Sequence, residues 1–173
     1  SHDPADLVRL LGVTESVVAG EPFAVVLADD VIDADPGGLQ QMIEVYNRTN
    51  SPVIAVERVP DEQVSSYGIL DVEPAPEVGP RAYRIRDMVE KPPRAEAPSN
   101  LAIIGRYILT PDIFPALRET DRDKSGEIQL TNGMKRLLGK RPMYAYEIDG
   151  VRHDTGNKLG FLKAVVYFGL KRP

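Results

Sequence analysis

Six residues from Phe23, Phe-Ala-Val-Val-Leu-Ala, form a short apolar run that stops at two carboxylates, Asp29 and Asp30. A run of this length after Gly and Pro predicts a buried strand, and β-branched Val25 and Val26 favour it. We take this strand as the centre of the sheet. Upstream, Asp3-Pro4 is a helix start, with Leu7, Val8 and Leu11 on one face and Gly12 placed to end the helix. Downstream, Asp35-Pro36 starts a second helix by the same device. Leu39, Met42, Ile43 and Tyr46 fall at i, i+3, i+4 and i+7, a core-facing stripe. Pro52 to Glu57 reads as the next strand, so strand, helix and strand with short links predict a parallel pair.

The polarity then changes period. Ser66 to Val72 and Arg81 to Val89 alternate and predict a hairpin, with Pro and Gly79 between them. Leu101 to Leu109 is apolar around Gly105 and Arg106 and predicts a strand. Pro111 to Leu117 is a short helix after a Thr110 cap, and Asp121 to Ser125 is a charged loop. Glu127 opens a helix with the stripe Leu130, Met134, Leu137 and Leu138. Pro142 to Ile148 predicts a strand that Gly150 turns. The last helix carries Leu159, Leu162, Val166 and Leu170 on one face. Strands and helices interleave in an α/β pattern with a mixed sheet, and residues 1–173 read as a single domain.

Composition narrows the classes. Hydrophobic residues make up 42% and charged residues 27% of the 173 positions, a globular balance. The net charge of −5 disfavours a duplex nucleic-acid binder, which needs a basic surface. There is no Cys, which removes disulfides, thiolate chemistry and Cys-based zinc sites. No apolar run approaches the roughly 20 residues that span a bilayer. No signal peptide is visible, and the cytoplasm is the expected compartment.

Five clusters sit at element ends, where sites are usually built. Asp29 and Asp30 repel each other unless a cation such as Mg²⁺ lies beside them; the alternative is a pair of turn residues. At Tyr67-Gly68 a glycine lets backbone approach a ligand, or simply opens a strand. Glu90 can accept hydrogen bonds from a vicinal diol and Lys91 can meet a phosphate, or the two form an exposed pair before Pro92. In Ser125 to Thr131, Ser125 as cap and Glu127 near the helix dipole need no ligand. In His153 to Lys158, Asp154 is either a helix cap or a second metal carboxylate.

Taken together these motifs resemble the bacterial UTP–glucose-1-phosphate uridylyltransferases. The resemblance rests on Glu21 to Asp30, Tyr67-Gly68-Ile69, Val89 to Pro92, Ser99 to Tyr107, Gly126 to Thr131 and Asp154 to Ala164, in family order and spacing. It implies a Rossmann-like, GT-A-like nucleotidyltransferase fold, a mixed sheet flanked by helices. It implies Mg²⁺-dependent formation of UDP-glucose and pyrophosphate from UTP and glucose-1-phosphate. On that resemblance Asp29 and Lys91 are catalytic, and Asp29 and Asp154 hold the metal. Asp30, Tyr67, Gly68, Glu90, Lys91, Asn100 and Glu127 bind substrate. A homo-oligomer with no nucleic-acid or membrane partner is expected.

The departures matter as much. The family's opening Gly-rich segment of the G-x-G-T-R type, which cradles a triphosphate, has no counterpart here. Neither has its Gly-Leu-Gly-His stretch, which reads the uracil. The resemblance therefore implies the C-terminal sugar- and metal-binding portion of such an enzyme, incomplete at the N-terminus, with an unpaired sheet edge, exposed apolar surface and no activity alone. Two other readings stand beside it. One is a truncated, non-catalytic homologue acting as a sugar-phosphate-binding or assembly module. The other is a related transferase for another nucleotide or sugar.

Overall fold

The computed structural model describes residues 4–122, 126 and 128–171. Helix α1 (Pro4–Val18) runs straight through Gly12, where nothing breaks the pattern, and ends where Ala19 and Gly20 take positive φ values of 49° and 85°. Strand β1 (Phe23–Val26) follows, and β2 (Asp30–Asp33) begins at the second carboxylate. Next come α2 (Gly38–Thr49), β3 (Val53–Arg58), β4 (Gly68–Pro74), β5 (Ala82–Glu90) and β6 (Leu101–Leu109). The chain closes with α3 (Ile113–Arg118), α4 (Leu130–Leu138), β7 (Tyr144–Glu147), β8 (Val151–Asp154) and α5 (Lys158–Lys171).

Six strands form one mixed sheet in the order β1-β6-β3-β7-β5-β4. The hairpin β4–β5 is antiparallel as the alternation predicts, and β3 pairs in parallel with β7. β1 and β3 do run in the same direction, but they are not neighbours: each lies antiparallel to β6, which separates them. The first apolar run is therefore an outer strand of the described sheet, and Val26 is 49% exposed. The expectation of a buried central strand is corrected here, since an apolar run does not say how many neighbours will flank it.

Alternation along β3 and β6 divides the core between two faces. Ile54, Val56, Ile103, Tyr107 and Leu109 meet Phe114, Leu117, Met134 and Leu137 of α3 and α4. Val53, Ala55, Ile104 and Ile108 meet Met42 and Val45 of α2 on the other side. The α2 stripe is rotated from its expected position: Gln41, Met42 and Val45 are buried, whereas Ile43 is 43% exposed.

β2 and β8 form a separate antiparallel ribbon, pairing Asp30 with Asp154 and Val31 with His153. β8 was not expected from the pattern, because Val151 is the one apolar residue among its four. α5 lies on this ribbon, with the His153 ring 4.4 Å from Tyr167 and 5.2 Å from Phe168. The α5 stripe faces outward: Leu159, Leu162, Val166 and Leu170 are between 53% and 84% exposed. Periodicity identified the stripe but not what would cover it. No helix among the described residues is long and apolar enough to cross a membrane.

Candidate functional site

Asp29 and Asp154 are brought together by the turn that follows β8. The Asp29 carbonyl accepts the Thr155 N–H at 2.7 Å and the Thr155 hydroxyl at 2.8 Å. The Gly156 N–H donates to Asp154 Oδ1 at 3.0 Å. A Cβ on Gly156 would stand 2.9 Å from Asp29 Oδ2 and 3.2 Å from Asp154 Oδ1, so the two oxygens lie no more than about 6 Å apart, the two spans laid end to end. Any side chain at Gly156 would intrude between the carboxylates. Asp154 is not the cap of α5: Asn157 Oδ1 accepts the Gly160 N–H at 2.8 Å and fills that place. Among the described residues no group of three or more His, Asp or Glu could hold a metal ion. A cation at the Asp29–Asp154 pair would thus take its other oxygens from phosphate and water, the habit of Mg²⁺.

Asp30 faces inward and is 6% exposed. Its Oδ2 accepts the Gly105 N–H at 2.7 Å and its Oδ1 accepts the Arg152 Nε–H at 2.7 Å. Both carboxyl oxygens are committed to protein donors. Arg152 continues to Glu57 Oε2 at 3.0 Å, and its guanidinium lies 5.7 Å from the centre of the Tyr67 ring. Burial works against the Arg152 charge, but the Asp30 hydrogen bond, with Tyr67 and Glu57, outweighs it and holds the guanidinium above its usual pKa. Arg106 beside it is pulled down by burial and by Arg152, with Asp30 opposing.

The second part of the site lies where β4 meets β5. Gly68 stands opposite Glu90. The Lys91 N–H donates to the Tyr67 carbonyl at 3.0 Å, and Lys91 turns out of the strand with φ of 44°. Its Nζ is 3.8 Å from Glu90 Oε1. The Thr131 hydroxyl, in the first turn of α4, donates to Glu90 Oε2 at 2.6 Å.

One face of β6 carries both parts. Ile103 Cδ1 lies 3.0 Å from where a Gly68 Cβ would be, and a Gly105 Cβ would meet Asp30 Cβ at 2.9 Å. Tyr107 is the next residue on that face. Its phenol is pushed up by burial and further by the charges of Glu90 and Asp30. Alternate residues of one strand thus reach the sugar-side candidates and the acidic ribbon.

Asn100 is joined elsewhere: its Oδ1 accepts from Arg58 Nη1 at 3.3 Å, and Arg58 also reaches Tyr83 and Glu147. Glu127 and Ser125 lie outside the described residues. Sequence reasoning singled out neither Arg152 nor the hydroxyl of Thr131. A glycine inside an apolar strand was the available signal for Gly105, since it marks a close approach of another group.

The model of the nucleotidyl transferase family matches residues 4–168. The chain belongs to the nucleotidyl transferase family. Among relatives of this nucleotidyl transferase, a UTP–glucose-1-phosphate uridylyltransferase of Staphylococcus epidermidis is 44% identical over 156 residues, which is 90% of this chain and 53% of the relative. The enzyme of that name from Bacillus subtilis is 41% identical over 169 residues, covering 98% of this chain and 57% of its own. A crystal structure of a UDP-glucose pyrophosphorylase complexed with UDP-glucose superimposes with a TM-score of 0.91 at 39% identity, over 99% of this chain and 64% of that one. This nucleotidyl transferase chain therefore spans about half the length of the curated relatives it matches.

Proposed function

We propose that residues 1–173 are the sugar-phosphate- and metal-binding portion of a UTP–glucose-1-phosphate uridylyltransferase. The observation that carries this reading is the approach of Asp29 to Asp154 across Gly156, on a framework that β6 shares with Gly68 and Glu90. In the reaction, a phosphate oxygen of glucose-1-phosphate attacks the α-phosphorus of UTP. One P–O bond forms, and the bond to the leaving pyrophosphate breaks. No covalent intermediate on the protein is required, so positioning and charge neutralisation carry the catalysis.

Each residue then has a role. Asp29 and Asp154 hold Mg²⁺, which neutralises charge on the phosphates when bound. Lys91 sets a point charge against the sugar phosphate. Glu90 accepts hydrogen bonds from sugar hydroxyls, and the Gly68 backbone lies close enough to join it. Asp30 and Tyr67, both engaged by Arg152, position the two parts rather than touch substrate. Substrates of this kind support a cytoplasmic reaction.

Calorimetric titration of the chain with glucose-1-phosphate in Mg²⁺ tests this. Saturable binding that Glu90→Ala and Lys91→Ala each weaken supports the reading; absent binding, or binding indifferent to both changes, removes it. A second reading, a non-catalytic assembly module, is favoured by the outward apolar stripe of α5. It requires self-association, which sedimentation measures.

A further inference from the structure

We propose that Thr131 is the positioning residue for sugar recognition, acting through Glu90, and that Gly68 is a glycine because the Thr131–Glu90 hydrogen bond occupies the space of its side chain. The inference rests on reading Glu90 as the acceptor of sugar hydroxyls.

Thr131 is 7% exposed and stands 41 positions from Glu90 in sequence. Its hydroxyl reaches Glu90 Oε2 at 2.6 Å, the short length of an O–H donor on a carboxylate. The donor is stiff twice over: Thr is β-branched, and it sits on a helix whose Leu130, Met134 and Leu137 are packed in the core. Glu90 itself is a strand-end side chain whose other oxygen lies 3.8 Å from the half-exposed ammonium of Lys91. Without Thr131 the carboxylate would follow that mobile cation. With Oε2 held, Oε1 keeps lone pairs for a hydroxyl in a fixed place.

Gly68 gives independent support. A Cβ there would lie 3.2 Å from Glu90 Oε2, 3.2 Å from Thr131 Oγ1 and 3.0 Å from Ile103 Cδ1. All three neighbours are set by separate elements, so a methyl group could enter only if they gave way by a few tenths of an ångström, the Thr131–Glu90 hydrogen bond among them. A simple capping role for Thr131 fits less well. Gln129 occupies the N-cap of α4, and the Thr131 hydroxyl is spent on a side chain rather than on backbone.

The test compares glucose-1-phosphate with inorganic phosphate by calorimetric titration of the full chain. Thr131→Val removes the hydroxyl at nearly constant shape and should weaken glucose-1-phosphate binding about tenfold, the loss of one oriented hydrogen bond to a charged group. Phosphate binding should be unchanged, because Lys91 is untouched. Thr131→Ser should restore sugar binding. Gly68→Ala should reproduce the selective loss and serves if Thr131→Val fails to fold. Equal weakening of both ligands would mean a merely structural role and overturn the proposal. So would wild-type binding in Thr131→Val while Glu90→Ala is impaired. If Glu90→Ala also binds normally, the role of Glu90 fails first and that of Thr131 falls with it.

Discussion

Asp30 and Arg152 are 122 positions apart in sequence, yet the Arg152 Nε–H donates to Asp30 Oδ1 at 2.7 Å with side chains only 7% and 14% exposed. The pair ties β2 to β8 within the ribbon, and the further bonds of Asp30 to Gly105 and of Arg152 to Glu57 fasten that ribbon to β6 and β3. Removing one partner leaves the other charge buried and uncompensated, a loss of about 3–5 kcal/mol. Arg152→Met should therefore lower the midpoint of urea unfolding well beyond the effect of an exposed change such as Arg94→Met. Equal midpoints for the two variants would contradict a buried pair.

Gly156→Ala is expected to separate the metal site from the fold. The added methyl would meet Asp29 Oδ2 at 2.9 Å and Asp154 Oδ1 at 3.2 Å. Divalent-cation affinity should drop at least about tenfold, in the range of losses seen when the groups orienting metal ligands are disturbed. Mn²⁺ titration followed by electron paramagnetic resonance measures this, with circular dichroism confirming that the chain still folds. Unchanged affinity would show that the two carboxylates do not share an ion.

Acid should loosen α5 from the ribbon. Asp33 accepts hydrogen bonds from the Lys171 ammonium and from the Tyr167 hydroxyl, the latter at 2.7 Å, and the Lys171 contact above all holds its carboxyl below the usual range. A depressed carboxylate contributes stability that is complete above its unfolded pKa of about 3.9 and is lost as pH falls through the lower folded value. Amide protection factors in α5, exchange rates taken relative to the unstructured chain at the same pH, should therefore fall below about pH 4, and less so in 1 M salt, since the pair is open to solvent. Asp33→Asn should abolish the pH dependence; an Asn variant with the same profile would assign the effect to another group.

The chain tested alone is expected to make UDP-glucose far below the ordinary enzyme range of about 1–10³ per second. None of its segments is the Gly-rich kind whose backbone amides hold a triphosphate in line. Poor orientation of that group forfeits several of the roughly 7–11 kcal/mol that positioning can contribute. Pyrophosphate release from UTP, Mg²⁺ and glucose-1-phosphate, with protein confirmed by mass, reads the rate. Turnover in the ordinary range would place a triphosphate site within these residues.

Elements whose evidence is local were legible before any coordinates. Leu101 to Leu109 is β6 residue for residue, the 66–89 alternation is the β4–β5 hairpin, and the Leu130-Met134-Leu137 stripe is the buried face of α4. The carboxylates at Asp29, Glu90 and Asp154 stood out for the same reason: each sits at an element end. Tertiary structure decided what those residues meet. Asp29 and Asp30 are neighbours of one type, yet Asp30 is buried against Gly105 and Arg152 while Asp29 approaches Asp154 across Gly156. The same holds for the outward α5 stripe, the outer position of β1 and the grip of Thr131 on Glu90. Periodicity reports which side chains share a face, because that follows from backbone geometry alone. Which surface or donor lies across from that face depends on strands and helices 41 to 126 positions away in the chain, and such pairings leave no spacing in the sequence to read.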